Sequence, residues 1–301
     1  MRSSDCCKTL LMLLTLAGEG TSGAEEAEPA GLPSQWAIQA PPAAWNLSPF
    51  YRKCILVGEL PIVASADVHD AALQEAAGVV SWLLSRRPDV LAELARARVR
   101  LAVMSWRERT LDIPEHSDLT PASYWNRRAR GLGPTSIRLA VSCGEENLLE
   151  YPGDPYRAES ILVHEFAHAI DLMALRSLSP EFKQELISIY DAARGAGLWE
   201  GKYAGKNPEE YWAEGVQSYF DTNREEDHDH NHVNTRSELA EYDPRLFALI
   251  DREFRGVHWR YVKPGKRDAA DRQHLQGYDP STAPRFSWEP EIPAEAVPAD
   301  Q

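Results

Sequence analysis

The feature that most constrains this chain is the pattern His-Glu-x-x-His at residues 164–168, which lies inside an apolar run. His164 and His168 are four residues apart, so on an α-helix both imidazoles leave the same face and can bind one metal ion. Glu165 is placed to take a proton from water on that ion. The run is too apolar for a solvated surface helix, so the pattern predicts a buried helix that carries a metal site.

The residues around the motif favour a helix. Asp154 can cap it, Pro155 fits a first helical turn, and neither glycine nor proline follows until Pro180. We therefore expect the motif helix to begin near Pro155.

A catalytic zinc site needs a third protein ligand and one open position. The residues directly after the motif do not supply this ligand in the metzincin manner. Position 171 is Asp where that pattern requires glycine, and Ala174 stands where a third histidine would fall. The third ligand must therefore come from another helix, most naturally from a downstream glutamate.

Two glutamates on a later predicted helix are the candidates. Asn207 can cap this helix and Pro208 can start it, so Glu210 falls in its first turn. Glu210 and Glu214 are four residues apart and share one face. A surface pair of glutamates is the alternative, but the helix also carries bulky apolar residues, which are Tyr211, Trp212 and Phe220. The residues alone leave open which glutamate is the ligand.

The motif His-Glu-Phe-Ala-His-Ala-Ile-Asp at 164–171 is followed by Tyr-x6-Glu-Tyr-Trp-Ala-Glu at 203–214. This combination resembles the anthrax lethal factor catalytic domain, the Pro-Pro endopeptidases and the Mlc titration factor peptidases. Those families are gluzincins, zinc peptidases whose third ligand is a glutamate. The resemblance covers 155–222 at the level of motifs and 51–260 in the order of elements.

The resemblance implies a role for individual residues. It implies His164, His168 and Glu210 as ligands of Zn²⁺ and Glu165 as the general base. It also implies that Tyr203, seven residues before the ligand glutamate, steadies the oxyanion of the transition state.

Two further acids have implied or open roles. Glu214 matches the acid that orients a ligand histidine in those families, although it could instead replace Glu210 as the ligand. Asp171, one turn beyond His168 on the same face, could also orient a ligand.

Composition limits the classes of partner. The chain has 301 residues, 43% of them hydrophobic and 26% charged, which is typical of a soluble globular protein with ample core. Its net charge of −14 argues against a nucleic-acid or anionic-membrane partner. The expected partner is a peptide or protein substrate, and the sequence indicates no particular oligomeric state.

The start of the chain predicts export. Residues 1–24 combine early basic residues, a short apolar run and small residues suited to cleavage, and the run is too short to span a bilayer. We expect a signal peptide at 1–24, a linker at 25–50, a zinc metallopeptidase domain at 51–262 and a proline-rich tail at 263–301 that is loosely ordered.

Two cysteines, Cys54 and Cys143, remain after the predicted signal. In an oxidising compartment they could form a disulfide. Two buried thiols are the alternative.

Apolar periodicity predicts an α+β fold with a small mixed sheet and a mostly helical active-site half. The resemblance implies that this fold is a zincin-like metallopeptidase domain. The predicted strands are 53–57, 60–65, 99–104, 137–141 and 259–262. Besides the motif helix, the predicted helices are 67–86, 90–98, 180–194, 208–221 and 244–254.

Two polar loops each allow two interpretations. The loop at 107–137 carries Arg127, Arg128 and Arg130, which could bind a substrate carboxylate or pair with internal acids. The loop at 222–236 carries three histidines, His228, His230 and His232. They could bind metal weakly, but such a loop is usually only solvated.

These observations predict a secreted zinc metalloendopeptidase. The alternatives are a secreted zinc-bearing binding protein and a metal-dependent hydrolase that acts on something other than peptides.

Overall fold

A five-stranded mixed sheet forms the base of the site in the computed structural model, which describes residues 36–288. The strands are β1 (Lys53–Val57), β2 (Leu60–Ala64), β3 (Arg100–Met104), β4 (Gly131–Leu132) and β5 (Ala140–Gly144). Their order is β1-β2-β3-β5-β4. The three central strands are parallel, and the two outer strands, β1 and β4, are antiparallel to their neighbours.

The central strands are apolar along their whole length because both faces of the sheet are covered. One face packs against the helices Asp70–Leu83, Pro88–Arg96 and Ile161–Ile170, and the other is covered by a smaller cluster that includes Tyr51 and Ile113. The predicted strands at 53–57, 60–65 and 99–104 are confirmed. The strand expected at 137–141 is shifted to Ala140–Gly144. No strand forms at 259–262, so that prediction is wrong: Tyr261 N donates to Phe220 O, and no ladder of bonds continues it.

Ten α-helices surround the sheet within residues 36–288. They are α1 (Asp70–Leu83), α2 (Pro88–Arg96), α3 (Ala122–Arg128), α4 (Glu145–Leu148), α5 (Ile161–Ile170), α6 (Arg176–Leu178), α7 (Phe182–Gly195), α8 (Pro208–Tyr219), α9 (Arg236–Tyr242) and α10 (Pro244–Glu253). A π-helical turn joins α5 to α6. The expected α+β class is confirmed. None of the helices in this part of the chain has the length and apolar character needed to cross a bilayer.

The motif helix α5 begins later than expected. Ser160 caps it by accepting a hydrogen bond from Val163 N, and the helix starts at Ile161. Asp154 cannot serve as the cap because its carboxylate accepts bonds from Asn147 Nδ2 and Tyr156 N, both at 2.9 Å. The segment before Ser160 is therefore a turn, and the prediction of a start at Pro155 is wrong.

Helix α8 packs against α5 in a fixed register. The fully buried Trp212 donates from Nε1 to the carbonyl oxygen of Ala167 at 2.9 Å. Its indole also contacts the rings of Phe182 and Phe254, at centroid distances of 5.1 and 6.2 Å. This anchor brings the first turn of α8 over the histidine face of α5.

The segments on either side of the predicted domain also contact the helices and the sheet. The buried Trp36 packs against Trp82 of α1 and against His274. Glu75 of α1 binds both Arg267 and His274. Residues 263–288 therefore differ from the expected loose tail, because buried contacts hold them to α1. The boundaries proposed for the domain stay predictions, and the signal at 1–24 lies outside the described residues.

The two cysteines are buried free thiols on different strands. Cys54 lies on β1 and Cys143 on β5, with β2 and β3 between them. Burial raises the pKa of the Cys54 thiol to about 12 and that of Cys143 further still. Of the two interpretations, buried thiols are the one found.

Candidate metal centre

Helix α5 presents two histidines to one cleft. The Nε2 atoms of His164 and His168 lie 3.2 Å apart, and their rings meet edge to face. Phe166 and Ala169, on the opposite side of the helix, are buried in the apolar core. The four-residue spacing thus places both imidazoles on one side, as the sequence predicts.

Helix α8 adds a carboxylate from its first turn. Oε2 of Glu210 lies 3.2 Å from His164 Nε2 and 3.3 Å from His168 Nε2. Asn207 caps the helix by accepting from Glu210 N at 2.8 Å, and Pro208 follows at the first position. The predicted cap is therefore confirmed, and it fixes the backbone that carries Glu210.

These three atoms match the requirements of a metal ion. They form a nearly equilateral triangle with sides of 3.2 to 3.3 Å. Ligands about 2.0–2.1 Å from a tetrahedral ion lie roughly 3.3–3.4 Å apart, and nitrogen and carboxylate oxygen suit zinc. Glu210 Oε2 is buried and makes no hydrogen bond despite its two close nitrogens. His164, His168 and Glu210 are the group within residues 36–288 that could hold a metal ion.

The outer nitrogen of His164 has two partners. Nδ1 lies 2.8 Å from Gln217 Oε1 and 3.3 Å from Glu214 Oε1. Gln217 Nε2 donates to Glu159 Oε2 at 2.9 Å, so its amide oxygen must face the histidine. An acceptor at Nδ1 keeps the proton there and leaves Nε2 free to bind a metal. Glu214 therefore lies behind His164, and Glu210 is the glutamate beside both Nε2 atoms.

The structure adds a residue that sequence reasoning left in the solvent. His230 is only 5% exposed, and its Nε2 lies 3.2 Å from Glu214 Oε2. Its Nδ1 lies 2.8 Å from Asp227 Oδ1. The expectation of a solvated loop fits His228 and His232, which are exposed, but not His230. The alternation of acids and histidines contains no local signal that singles out the buried one.

The carboxylates near the histidines create a field that favours positive charge. Burial lowers the pKa of His164, but the adjacent Glu210 and Glu214 outweigh burial and raise it. Burial raises the pKa of Glu214, but His164 and His230 outweigh it and lower the pKa to about 2. The pKa of Glu210 is also lowered, because His164 and His168 outweigh its burial. Such a field also favours a bound cation.

Glu165 belongs to α5, and its side chain faces the outer strand β4. Burial raises the pKa of its carboxylate, the two histidines oppose that effect and Glu210 adds to it. A Cβ at Gly131 would come within 3.0 Å of Glu165 Cγ, and one at Gly133 within 2.9 Å of His168 Cβ. Only glycine at these two positions allows β4 to pass this close to the motif residues.

Tyr203 closes the other side of the cleft. Its hydroxyl donates to Glu210 Oε1 at 3.1 Å, and Lys206 Nζ lies 3.9 Å from its ring centroid. Its backbone N donates to the carbonyl of Asp229 at 2.8 Å. Burial and the carboxylate of Glu210 raise the pKa of the hydroxyl, so Tyr203 stays a hydrogen-bond donor.

An open cleft of about 360 Å³ connects these side chains. Besides the groups above, it is lined by Arg128, Leu132, Pro134, Asp171, Leu172, Arg176 and Glu209. Asp171 accepts two bonds from Arg176, at 2.6 and 2.7 Å, and these occupy both of its oxygens. Of the seven predicted site residues, the structure places four around the two histidines, and the seventh, Asp171, binds an arginine instead.

Comparison with known proteins gives little. No family model matches the chain, and no curated protein matches it. A solved structure with detectable similarity is the Pro-Pro endopeptidase PPEP-2 from Paenibacillus alvei, which is 16% identical with a TM-score of 0.38. The match covers 63% of this chain and 94% of that one. Similarity at this level identifies no family for the chain.

Proposed function

We propose that this protein is a zinc-dependent endopeptidase of the gluzincin type. The observation that carries the proposal is the triangle of His164 Nε2, His168 Nε2 and Glu210 Oε2, with sides of 3.2 to 3.3 Å. A structural zinc site would use four protein ligands, whereas three ligands beside an open cleft leave one position for chemistry. Glu165 and Tyr203 line that same cleft.

His164, His168 and Glu210 would hold the ion. When bound, zinc supplies a Lewis acid that polarises a peptide carbonyl and makes water more acidic. Gln217 and Glu214 keep the proton of His164 on Nδ1 and fix the angle of its ring. The ligand geometry is therefore set by α8 from both sides of the first histidine.

Glu165 is the proton carrier. Its burial raises the carboxylate pKa, which makes it a better base toward a water molecule in the cleft. It accepts the proton of the attacking water and then donates it to the amine that leaves. No other side chain needs to change its charge in either step.

Tyr203 is the donor for the developing oxyanion. Its protonated hydroxyl lies within hydrogen-bond distance of Glu210, next to the place where a carbonyl oxygen would gain negative charge. Losing such a donor typically costs about 100-fold in turnover. Tyr203→Phe should show a loss of this order in kcat and keep the bound metal.

The outer strand β4 suggests how a peptide is held. It is the last strand in the order of the sheet and borders the cleft through Leu132 and Gly133. An extended peptide can add to such an edge as a further strand. Because the cleft is open, a segment inside a longer chain can enter it, which favours an endopeptidase.

The test combines metal content with cleavage. Purified protein is assayed for zinc per chain and then incubated with a mixed peptide library, with and without a chelator. We expect one zinc per chain and cleavage that the chelator abolishes. Glu165→Gln should retain zinc and lose nearly all turnover, whereas the control Glu200→Gln, an exposed residue, should behave as the parent. Bound zinc without cleavage would favour a zinc-bearing binding protein or a hydrolase of another substrate class.

We also propose that the protein is exported. The support is the sequence of residues 1–24, with its early basic residues and apolar run. The N-terminal sequence of protein recovered from the medium of an expressing cell should begin near Glu25, directly after the predicted signal. Recovery of the whole chain inside the cell with Met1 intact would contradict this.

A further inference from the structure

Arg128, the last residue of α3, lines the cleft of the candidate metal centre. Its guanidinium carbon lies 5.6 Å from the ring centroid of Trp125. Burial lowers its pKa, but the neighbouring Tyr124, Tyr203 and Glu165 outweigh this and raise it. Arg128 is therefore a permanent cation placed among the groups proposed to carry the chemistry.

Other arginines near the cleft are occupied by carboxylates. Arg130 is fully buried and donates to both oxygens of Glu146, at 2.6 and 3.0 Å. Arg176 donates to both oxygens of Asp171. Within residues 36–288, Arg128 forms no ion pair with a carboxylate; its hydrogen-bond partner is the side chain of Tyr124, and Glu165 acts on it only as a nearby charge.

The two interpretations of the arginine cluster therefore apply to different members. Arg130 pairs with an acid inside the protein. Arg128 lines the cleft and has no such partner among the described residues, which makes it available to a ligand that enters the cleft. A planar guanidinium binds a carboxylate through two parallel hydrogen bonds, and the face of Trp125 helps to hold its plane. Strand β4 begins three residues later at Gly131, so a peptide extended along β4 passes close to this guanidinium.

We propose that Arg128 binds a carboxylate of a peptide that lies in the cleft, and so selects acidic peptides. The proposal rests on the proposed peptidase function. The carboxylate can come from an acidic side chain near the scissile bond or from the C-terminus of the peptide. Both have the same chemistry, and the experiment separates them.

The experiment uses one peptide sequence that the library shows to be cleaved, in matched forms. Two pairs carry Glu or Gln at one position, placed before the scissile bond in one pair and after it in the other. A further pair differs only in having a free or an amidated C-terminus. Values of kcat/KM are measured for the full-length parent, Arg128→Gln and Arg128→Lys. The control is Arg107→Gln, because Arg107 is also an exposed arginine over a tryptophan ring, at 4.8 Å, but does not line the cleft.

For the parent we expect kcat/KM to be about 10- to 100-fold higher for a peptide with the carboxylate than for the matching amide. A factor of this size corresponds to the typical contribution of a hydrogen bond to a charged group. The pair that shows this ratio identifies the source of the carboxylate. In Arg128→Gln the ratio should fall to about one, and Arg128→Lys should keep part of it, since a lysine has charge without the planar fork. The control should keep the ratio of the parent.

Binding provides a readout that does not need turnover. Peptides retained by immobilised Glu165→Gln protein are compared with those retained by the double variant Glu165→Gln/Arg128→Gln. Retention that depends on a carboxylate and on Arg128, without cleavage by the parent, would refute the peptidase and support the arginine site. Equal ratios in parent and Arg128→Gln, or an equal fall for carboxylate and amide peptides, would overturn the proposal. So would the absence of any retained peptide.

Discussion

Two buried clusters in this protein use the same kinds of residue in opposite ways. In the first, Glu75 binds Arg267 through both of its oxygens, at 2.6 and 2.8 Å, and His274 Nε2 lies 2.7 Å from one of them. In the second, Glu210 faces His164 and His168, yet its buried Oε2 makes no hydrogen bond. In the first cluster both carboxylate oxygens have hydrogen-bond donors. In the second, the two Nε2 atoms and the Oε2 atom lie close together and a shared ion could bind all three.

The difference teaches how to separate a structural ion pair from a ligand set. A buried carboxylate is costly unless its hydrogen bonds are made, so a folded protein normally supplies donors for it. The cluster at Glu75 follows this rule and fastens residues 263–288 to α1. The cluster at Glu210 departs from it at one oxygen, and a divalent cation is the partner that would satisfy all three groups together.

The largest expected effect lies in the complete cluster. Glu75→Gln removes the charge that compensates Arg267, which is only 8% exposed. Breaking one partner of a buried ion pair typically costs about 3–5 kcal/mol, so we expect a loss of that size in the free energy of unfolding. Urea denaturation at pH 7 measures it, with the exposed Glu241→Gln as the control. The zinc content should stay at the parent value; a loss of less than about 1 kcal/mol would refute the assignment.

At the metal centre the main change is expected in metal binding. Glu210→Gln should weaken zinc binding by about 2.5–4 kcal/mol, on the order of a hundredfold or more, if a site worth about 10–16 kcal/mol is shared among three protein ligands and a water molecule. The metal-free protein should also lose some stability, because Oε1 of Glu210 accepts a bond from Tyr203 and the carboxylate attracts the two histidines. Competition titration with a chromophoric chelator gives the affinity. Unchanged affinity would remove Glu210 from the ligand set.

A third buried group tests whether an unpaired atom alone indicates a site. His116 Nε2 lies 3.1 Å from Ser142 Oγ, but within residues 36–288 its Nδ1 has no hydrogen-bond partner and His116 belongs to no group that could hold a metal ion. Burial lowers its pKa to about 4, and Arg138 adds to this against the opposing effect of Glu115 and Asp118. We therefore expect His116 to make the stability of the protein depend on pH, and we do not expect it to bind a metal ion.

The direction follows from the two pKa values of His116. Its unfolded pKa is about 6.5 and its folded pKa is about 4, so between these the unfolded chain binds more protons. Its contribution is complete above pH 6.5 and falls by about 3 kcal/mol as the pH drops to 4. Urea unfolding of metal-free protein at pH 7, 6, 5 and 4 should show a weaker pH dependence for His116→Gln than for the parent. Identical curves would contradict the shifted pKa.

Local signals carried most of what the sequence could predict. The apolar strands at β1 to β3 and the Asn207 cap of α8 depend on neighbours in the chain, and they lie where expected. The start of α5 was predicted wrongly, because Asp154 accepts a hydrogen bond from Asn147 and does not cap the helix. The side chain of Asn147 also accepts a bond from Ile161 N and so helps to fix where the helix begins. A cap is a competition between partners, and a distant partner is not visible in a local pattern.

The candidate site shows the same limit. Glu210 and Glu214 share one helix face, so periodicity could not choose between them. The choice depends on where α8 crosses α5, which the bond from Trp212 to the Ala167 carbonyl fixes. Likewise the burial of His230 depends on how its loop folds back on Glu214, and no pattern within the loop encodes this.

The smallest predicted effect concerns that missed histidine. His230 joins Glu214 to Asp227, and Asn223 Nδ2 also donates to Glu214 at 2.9 Å. His230→Ala should leave Glu214 with fewer partners and let its carboxylate move away from His164 Nδ1. Loss of a group that orients a ligand typically costs 10- to 100-fold in metal affinity, and we expect about tenfold because Asn223 remains.

The matched control lies two residues away in the same loop. His228 is 97% exposed at its side chain, so His228→Ala changes the composition of the loop without touching Glu214. A chelator titration of both variants should show weaker zinc binding for His230→Ala alone, with Gln217 still holding Nδ1 of the first histidine. Equal affinities would mean that Gln217 and Asn223 orient the site without help. The buried histidine would then belong with the complete cluster at Glu75, as a group that stabilises the fold and not the metal.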